Sequence, residues 1–169
     1  MIVESDIEDE PGQERGEALL LRLYPSLRRF AAVVAPVEIA PDDLVQDALV
    51  AMLRRGPIGG VDDLGAYLRR SMLNLAANHR RRLGRSRRAM TRLTADTASS
   101  AADHYPSDLG DLAALRPEAR AVLYMQHVEG MSTLSIAVEL GLGHAAVRQM
   151  AVRARRTLRN QIHDEEAQR

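Results

Sequence analysis

Apolar residues recur every three or four positions through most of this chain, a period that admits helices and little else. Leu20, Leu23, Tyr24, Leu27, Ala31 and Val34 form one such stripe, and Leu64, Leu68, Met72 and Leu75, with His79 beyond them, form another. Composition points the same way. Aromatic residues make up 3% of the chain against 46% hydrophobic overall, so a core has to be built from Leu, Ala, Val and Met, which favours helix over sheet. The expected fold class is all-α, with two small helical domains joined by a flexible linker.

Composition shifts along the chain set the expected boundaries. Residues 1–16 are acidic and poor in apolar groups, which predicts a disordered tail. A first domain is expected over residues 17–93. Its first helix carries Pro25, as a kink or as a new start, and ends at Pro36. A second helix opens at Pro41, Asp42 and Asp43, with proline in the first turn and carboxylates near the positive end of the helix dipole. Its expected inner face is Leu44, Ala48, Leu49, Met52 and Leu53. Gly56 to Gly60 reads as a loop, and a third helix runs from Asp62 past Arg80. Residues 94–110, rich in Ser, Ala, Asp and Thr with no persistent period, are the expected linker.

A second domain is expected over residues 111–162, followed by a polar tail at 163–169. Leu112, Leu115, Ala119, Val122 and Leu123 mark a helix with Pro117 near its first turn and Glu129 and Gly130 at its close. Ser132 then caps a short helix bearing Leu134, Ile136, Ala137 and Leu140. Gly141 supplies a left-handed turn residue, and a last helix begins near His144 with Val147, Ala151, Ala154 and Leu158 inside.

Charge is sorted along this framework. The formal net charge is zero, yet no acidic residue lies between Leu64 and Ala95 or between Leu140 and His163. The first block holds Arg69, Arg70, Arg80, Arg81, Arg82, Arg85, Arg87, Arg88 and Arg92; the second holds Arg148, Arg153, Arg155, Arg156 and Arg159. Such blocks suit a polyanion. Every basic side chain other than histidine is arginine, which codon usage alone can explain, but guanidinium groups do fork well onto phosphates and base edges.

Ser132 to Arg159 has the layout of a helix-turn-helix, whose second helix would enter the major groove of DNA, or else of a plain helical hairpin with a solvated basic face; the acid-free second helix favours DNA. In the first block a solvated helix end would account for two or three arginines and a bound polyanion for all of them. Tyr67, Arg70, Asn74, Asn78 and Arg81 share one stripe, able to meet unpaired bases or simply solvated. Asp42, Asp43 and Asp47 serve as helix-start residues or as the edge of a surface that docks a basic protein.

Other classes are excluded. There is no cysteine, hence no disulfide framework, thiolate metal site or catalytic thiol. The histidines lack metal-pair spacing, and neither a phosphate-binding glycine loop nor a nucleophile motif is present, so no enzyme, cofactor or metal is expected. With no secretory leader layout and no apolar run long enough for membrane insertion, a soluble cytoplasmic protein is the expectation.

The motifs also resemble a known family. Asp42-Asp43-Leu44-Val45-Gln46-Asp47 is similar to the acidic signature of region 2 in sigma-70 family sigma factors of the extracytoplasmic-function group. Tyr67-Leu68-Arg69-Arg70 through Asn74, Asn78, His79 and Arg81 resembles the helix that follows it. Leu115 to Arg120, Glu129-Gly130-Met131-Ser132, Ile136-Ala137, Leu140-Gly141, Val147-Arg148 and Arg153-Ala154-Arg155 resemble region 4 in order and spacing. The match runs from about Ala18 to Leu158, broken by the linker.

The resemblance implies a promoter-specificity subunit. Asp42, Asp43, Leu44, Gln46 and Asp47 would bind the clamp helices of core RNA polymerase. Tyr67, Arg70, Asn74, Asn78, Arg81 and Arg82, with the loop Arg54 to Gly65, would read and open the minus-10 element of promoter DNA. Region 4 would bind the polymerase flap and read the minus-35 element through Arg148, Gln149, Val152, Arg153 and Arg156. An anti-sigma factor is a further partner expected by resemblance.

The departures are Tyr67 for a usual tryptophan, Leu73 for an arginine, a minus-10 loop without aromatics, Leu134-Ser135 for a Glu-Glu pair, Ala146 for threonine and Met150 for a basic residue. The alternatives are a helix-turn-helix regulator that never enters holoenzyme, or a sigma-like interaction module that has lost promoter opening.

Overall fold

A computed structural model describes residues 11–56, 63–93, 112 and 114–167. They form six helices: α1 Pro11–Val34, α2 Pro41–Leu53, α3 Leu64–Leu93, α4 Pro117–His127, α5 Thr133–Leu140 and α6 His144–Ala167. No strand occurs among the described residues. The expected linker 94–110 and half of the loop Arg54 to Gly65 lie outside them.

The first helix is one element. Pro25 sits inside α1 rather than starting a second helix, and α1 reaches back to Pro11, into the segment expected to be a disordered tail. Helix α2 begins at Pro41 as its sequence predicts, but its inner face is rotated. Leu44, Val45, Ala48 and Met52 are buried whereas Leu53 is 54% exposed. At about 100° per residue the buried sector centres between Leu44 and Val45, where α2 meets both α1 and α3, and Leu53 falls on the far side. Helix α3 starts at Leu64, two residues later than expected. The Asp63 carboxylate accepts the Ala66 amide at 2.9 Å, satisfying a first-turn donor that has no helical partner.

The two helical units share one core. Helix α1 packs against α2, α3 and α4, while α3 also meets α4 and α5. Leu27, Phe30, Ala31 and Val34 of α1 lie in one apolar cluster with Met72 of α3, Val122 and Met125 of α4, and Ile136 of α5. Phe30 is the one phenylalanine of the chain and is fully buried. Its ring meets Tyr124 edge-on at 6.2 Å between centroids. A smaller cluster of Leu115, Leu123 and Ala154 closes α4 onto α6.

Polar contacts fasten this seam. The Arg69 guanidinium lies 5.3 Å over the Phe30 ring and donates to both oxygens of Glu129, at 2.6 and 3.1 Å. A second carboxylate, Glu139, stands 3.6 Å from Arg69 Nε. Arg120 is 4% exposed and its Nη2 donates to the Val34 carbonyl at 3.0 Å. Val34 ends α1, where carbonyls lack helical partners and the dipole is negative, so Arg120 caps α1 from another helix. Burial first, then the charge of Arg80, lowers the Arg120 pKa to about 10, still high enough to keep it charged at neutral pH.

The two carboxylates around Arg69 differ in kind. Glu129 makes the forked pair, with both partners mostly shielded from water. Burial pushes the Glu139 carboxyl up by more than Arg69 pulls it down. Glu129→Gln is therefore expected to lower stability by about 1–3 kcal/mol, and Glu139→Gln by less than about 1 kcal/mol. Urea denaturation of both variants checks this; equal losses would contradict the assignment.

Candidate nucleic-acid and polymerase interfaces

The segment from Ser132 to Arg159 builds its turn from local chemistry. Ser132 Oγ accepts the Ser135 amide at 3.0 Å, capping α5. Gly141 takes φ 65° and ψ 35°, the left-handed conformation that lets the chain reverse after α5. Thr133 Oγ1 and His144 Nε2, 3.0 Å apart, tie the two helix starts together. Ile136, Ala137 and Leu140 then pack on Val147 and Ala151, so the α5–α6 pair is one rigid unit.

This fixes what α6 offers outward. With Val147, Ala151 and Ala154 buried, Arg148, Gln149, Val152, Arg153 and Arg156 are all exposed. Ala145, Arg148, Gln149, Val152 and Arg153 line one open concavity of about 440 Å³. Val152, Arg155, Arg156 and Arg159 line another farther along the helix, of about 380 Å³. The arrangement sets forked donors beside an apolar contact, with further arginines behind. That is what base edges and then phosphates require.

The α3 stripe is less uniform. Asn74, Asn78, Arg81 and Arg82 are exposed, and Arg81 donates to Asn78 Oδ1 at 2.5 Å. Tyr67 is half-buried against the shared core, and Arg70 donates to the Ala66 carbonyl at 3.3 Å while crowding Gly141. Those two members of the stripe therefore lie at the seam. Leu73, which stands where an arginine was expected by resemblance, is buried.

On α2 the exposed residues Asp43, Gln46 and Asp47 recur at helical spacing with Val50, 45% exposed, beside them. Leu44 is fully buried, which corrects its expected place in a polymerase-binding face: it anchors α2 to the core instead. Asp42 is engaged within the chain, accepting from Tyr24 Oη at 2.7 Å and Arg28 Nε at 2.8 Å. The hydrogen bonds from Tyr24 and then Arg28 hold its carboxyl below the usual range.

The residues missed by sequence reasoning are those of the seam. Arg69 sits in an acid-free stretch, yet Glu129 and Glu139 reach it from distant sequence, so the block is not wholly without carboxylates. For Arg120 a signal existed: it lies three residues after buried Pro117 and three before buried Leu123, on the inner stripe.

Comparison with known proteins accords with this geometry. Residues 112–158 match the family model of sigma-70 region 4. No curated protein matches the chain by sequence. Among solved structures the chain is similar to the sigma factor RpoE from Bartonella quintana, determined in complex with the anti-sigma factor NepR. The TM-score is 0.62 at 23% identity, covering 89% of this chain and 98% of that one. The sequence match to sigma-70 region 4 thus covers the capped, arginine-faced helix pair, and the fold of both helical units is that of a sigma factor.

Proposed function

We propose that this chain is an extracytoplasmic-function sigma factor that binds core RNA polymerase in the cytoplasm and directs it to promoters. The observation that carries the proposal is the α6 face, where Arg148, Gln149, Val152 and Arg153 are exposed together behind a capped turn. In this reading α6 reads the minus-35 element. Asn74, Asn78, Arg81 and Arg82 of α3 meet the minus-10 element, and Asp43, Gln46 and Asp47 of α2 dock the polymerase clamp. The flap would take region 4. Because RpoE was solved with an anti-sigma factor, a partner of that kind is part of the proposal.

Such a role requires the two units to part. The elements lie about 25 base pairs apart, or about 85 Å of duplex, while a compact chain of this size has a radius of gyration of about 15 Å. The closed seam cannot span both. Core polymerase would supply the surfaces that replace it.

One observation favours a second reading, an interaction module without promoter opening. Tyr67 and Arg70 lie at the seam, and the loop that would open DNA has no aromatic residue. Transcription in vitro with core polymerase on genomic DNA decides between them. Promoter-dependent transcripts are expected, and core binding without any transcript would favour the second reading.

Arg148→Ala and Arg153→Ala should each weaken minus-35 binding, by about 1–3 kcal/mol where the contact is to a base. Unchanged promoter affinity and salt dependence in both would remove α6 as the reader. Asp43→Lys with Asp47→Lys should reduce core polymerase retained in a pull-down while circular dichroism stays as in the parent. Undiminished retention would remove α2 as the docking face.

A further inference from the structure

Where α3 passes the start of α4, the two units border an open cavity of about 520 Å³. Arg80, Arg81 and Arg85 line it from α3, and Arg116 lines it from the residue that precedes α4. Among the described residues Glu118 is the only carboxylate in the lining, and the others besides the arginines are alanine, glycine and proline. The volume is that of a small-molecule site. Four guanidinium groups against one carboxylate leave a concentrated positive field there.

This charge is felt beyond the cavity. Arg80 donates to the Leu115 carbonyl at 3.2 Å, which fixes its guanidinium across the seam. From there it acts on buried Arg120 as an unfavourable like charge. An anion in the cavity would offset that repulsion.

The lining also sorts the candidate anions. Guanidinium groups from two elements can fork onto several phosphate oxygens at once. Among the described residues of the lining there is no aromatic side chain on which a base could stack, so the recognised part is phosphate rather than nucleobase.

We propose that this cavity binds a compact oligophosphate, and that the bound anion holds the two helical units closed. Because the lining comes from both units, ligand that binds only the closed arrangement raises the cost of opening it. The inference concerns a site apart from the α6 face; it shares Arg81 with the proposed minus-10 face but does not depend on the promoter-reading role.

The test is calorimetric titration of the full chain with sodium tripolyphosphate at moderate salt. One saturable site is expected, together with a rise in thermal midpoint. Arg116→Gln and Arg85→Gln should each weaken binding about tenfold or more, and Glu118→Gln should tighten it. Arg155→Gln, on α6 away from the cavity, should change little.

Three results would overturn the proposal. One is binding that does not saturate; another is an equal loss on Arg155→Gln, the mark of diffuse charge attraction. The third is a short single-stranded oligonucleotide that loses as much affinity on Arg116→Gln as tripolyphosphate does, which would assign the cavity to the DNA path.

Discussion

The forked pair between Arg69 and Glu129, laid over the buried ring of Phe30, is the constraint on which the rest of the arrangement depends. It joins α1, α3 and the turn after α4 at one point. Units of this size bury only a modest share of their surface alone, which makes a shared core valuable to both. Around the pair, Leu27, Met72, Val122 and Ile136 come together from four helices. Arg120 completes the joint by capping α1 from α4. Removing Arg69 leaves the shielded Glu129 carboxylate without its forked partner, so the seam is held by few groups, each of them costly to lose.

How much of this was legible in the sequence follows the range of the interactions. Helix α2 starts at Pro41, α5 is capped by Ser132 and closed by Gly141, and α6 begins at His144, as their sequences predict. Each depends on neighbours within a turn or two. The exposed face of α6 was legible for the same reason: once Val147 and Ala151 are inside, the helical period leaves Arg148, Gln149 and Val152 outside. Where the outcome depended on packing partners, the sequence was a weaker guide. Leu53 and Val45 exchanged places because α2 is buried by two neighbours at an angle that its own period does not specify. The pairing of Arg69 with Glu129 joins residues sixty positions apart, beyond the reach of any count of local charge.

The same seam gives the proposed function its mechanical content. Closed, the fold half-buries Tyr67 on the shared core, places Arg70 against Gly141 of the second unit, and leaves Asn74, Asn78 and the α6 face in solvent. A protein that reads two promoter elements at once has to trade these internal contacts for contacts with polymerase. The exposed carboxylates of α2 and the guanidinium groups of α6 lie outside the seam, so both can engage partners before it opens. In this account docking and reading supply the free energy that separates the units.

The most direct test is the distance between the units. The chain has no cysteine, so Arg29→Cys with Asn160→Cys places spin labels at two exposed positions, one in each unit. Pulsed dipolar spectroscopy of the free protein should give one narrow distance distribution, and addition of core polymerase with promoter DNA should move it to longer distances. A broad distribution in the free chain, or an unchanged narrow one in a complex that transcribes, would contradict the account.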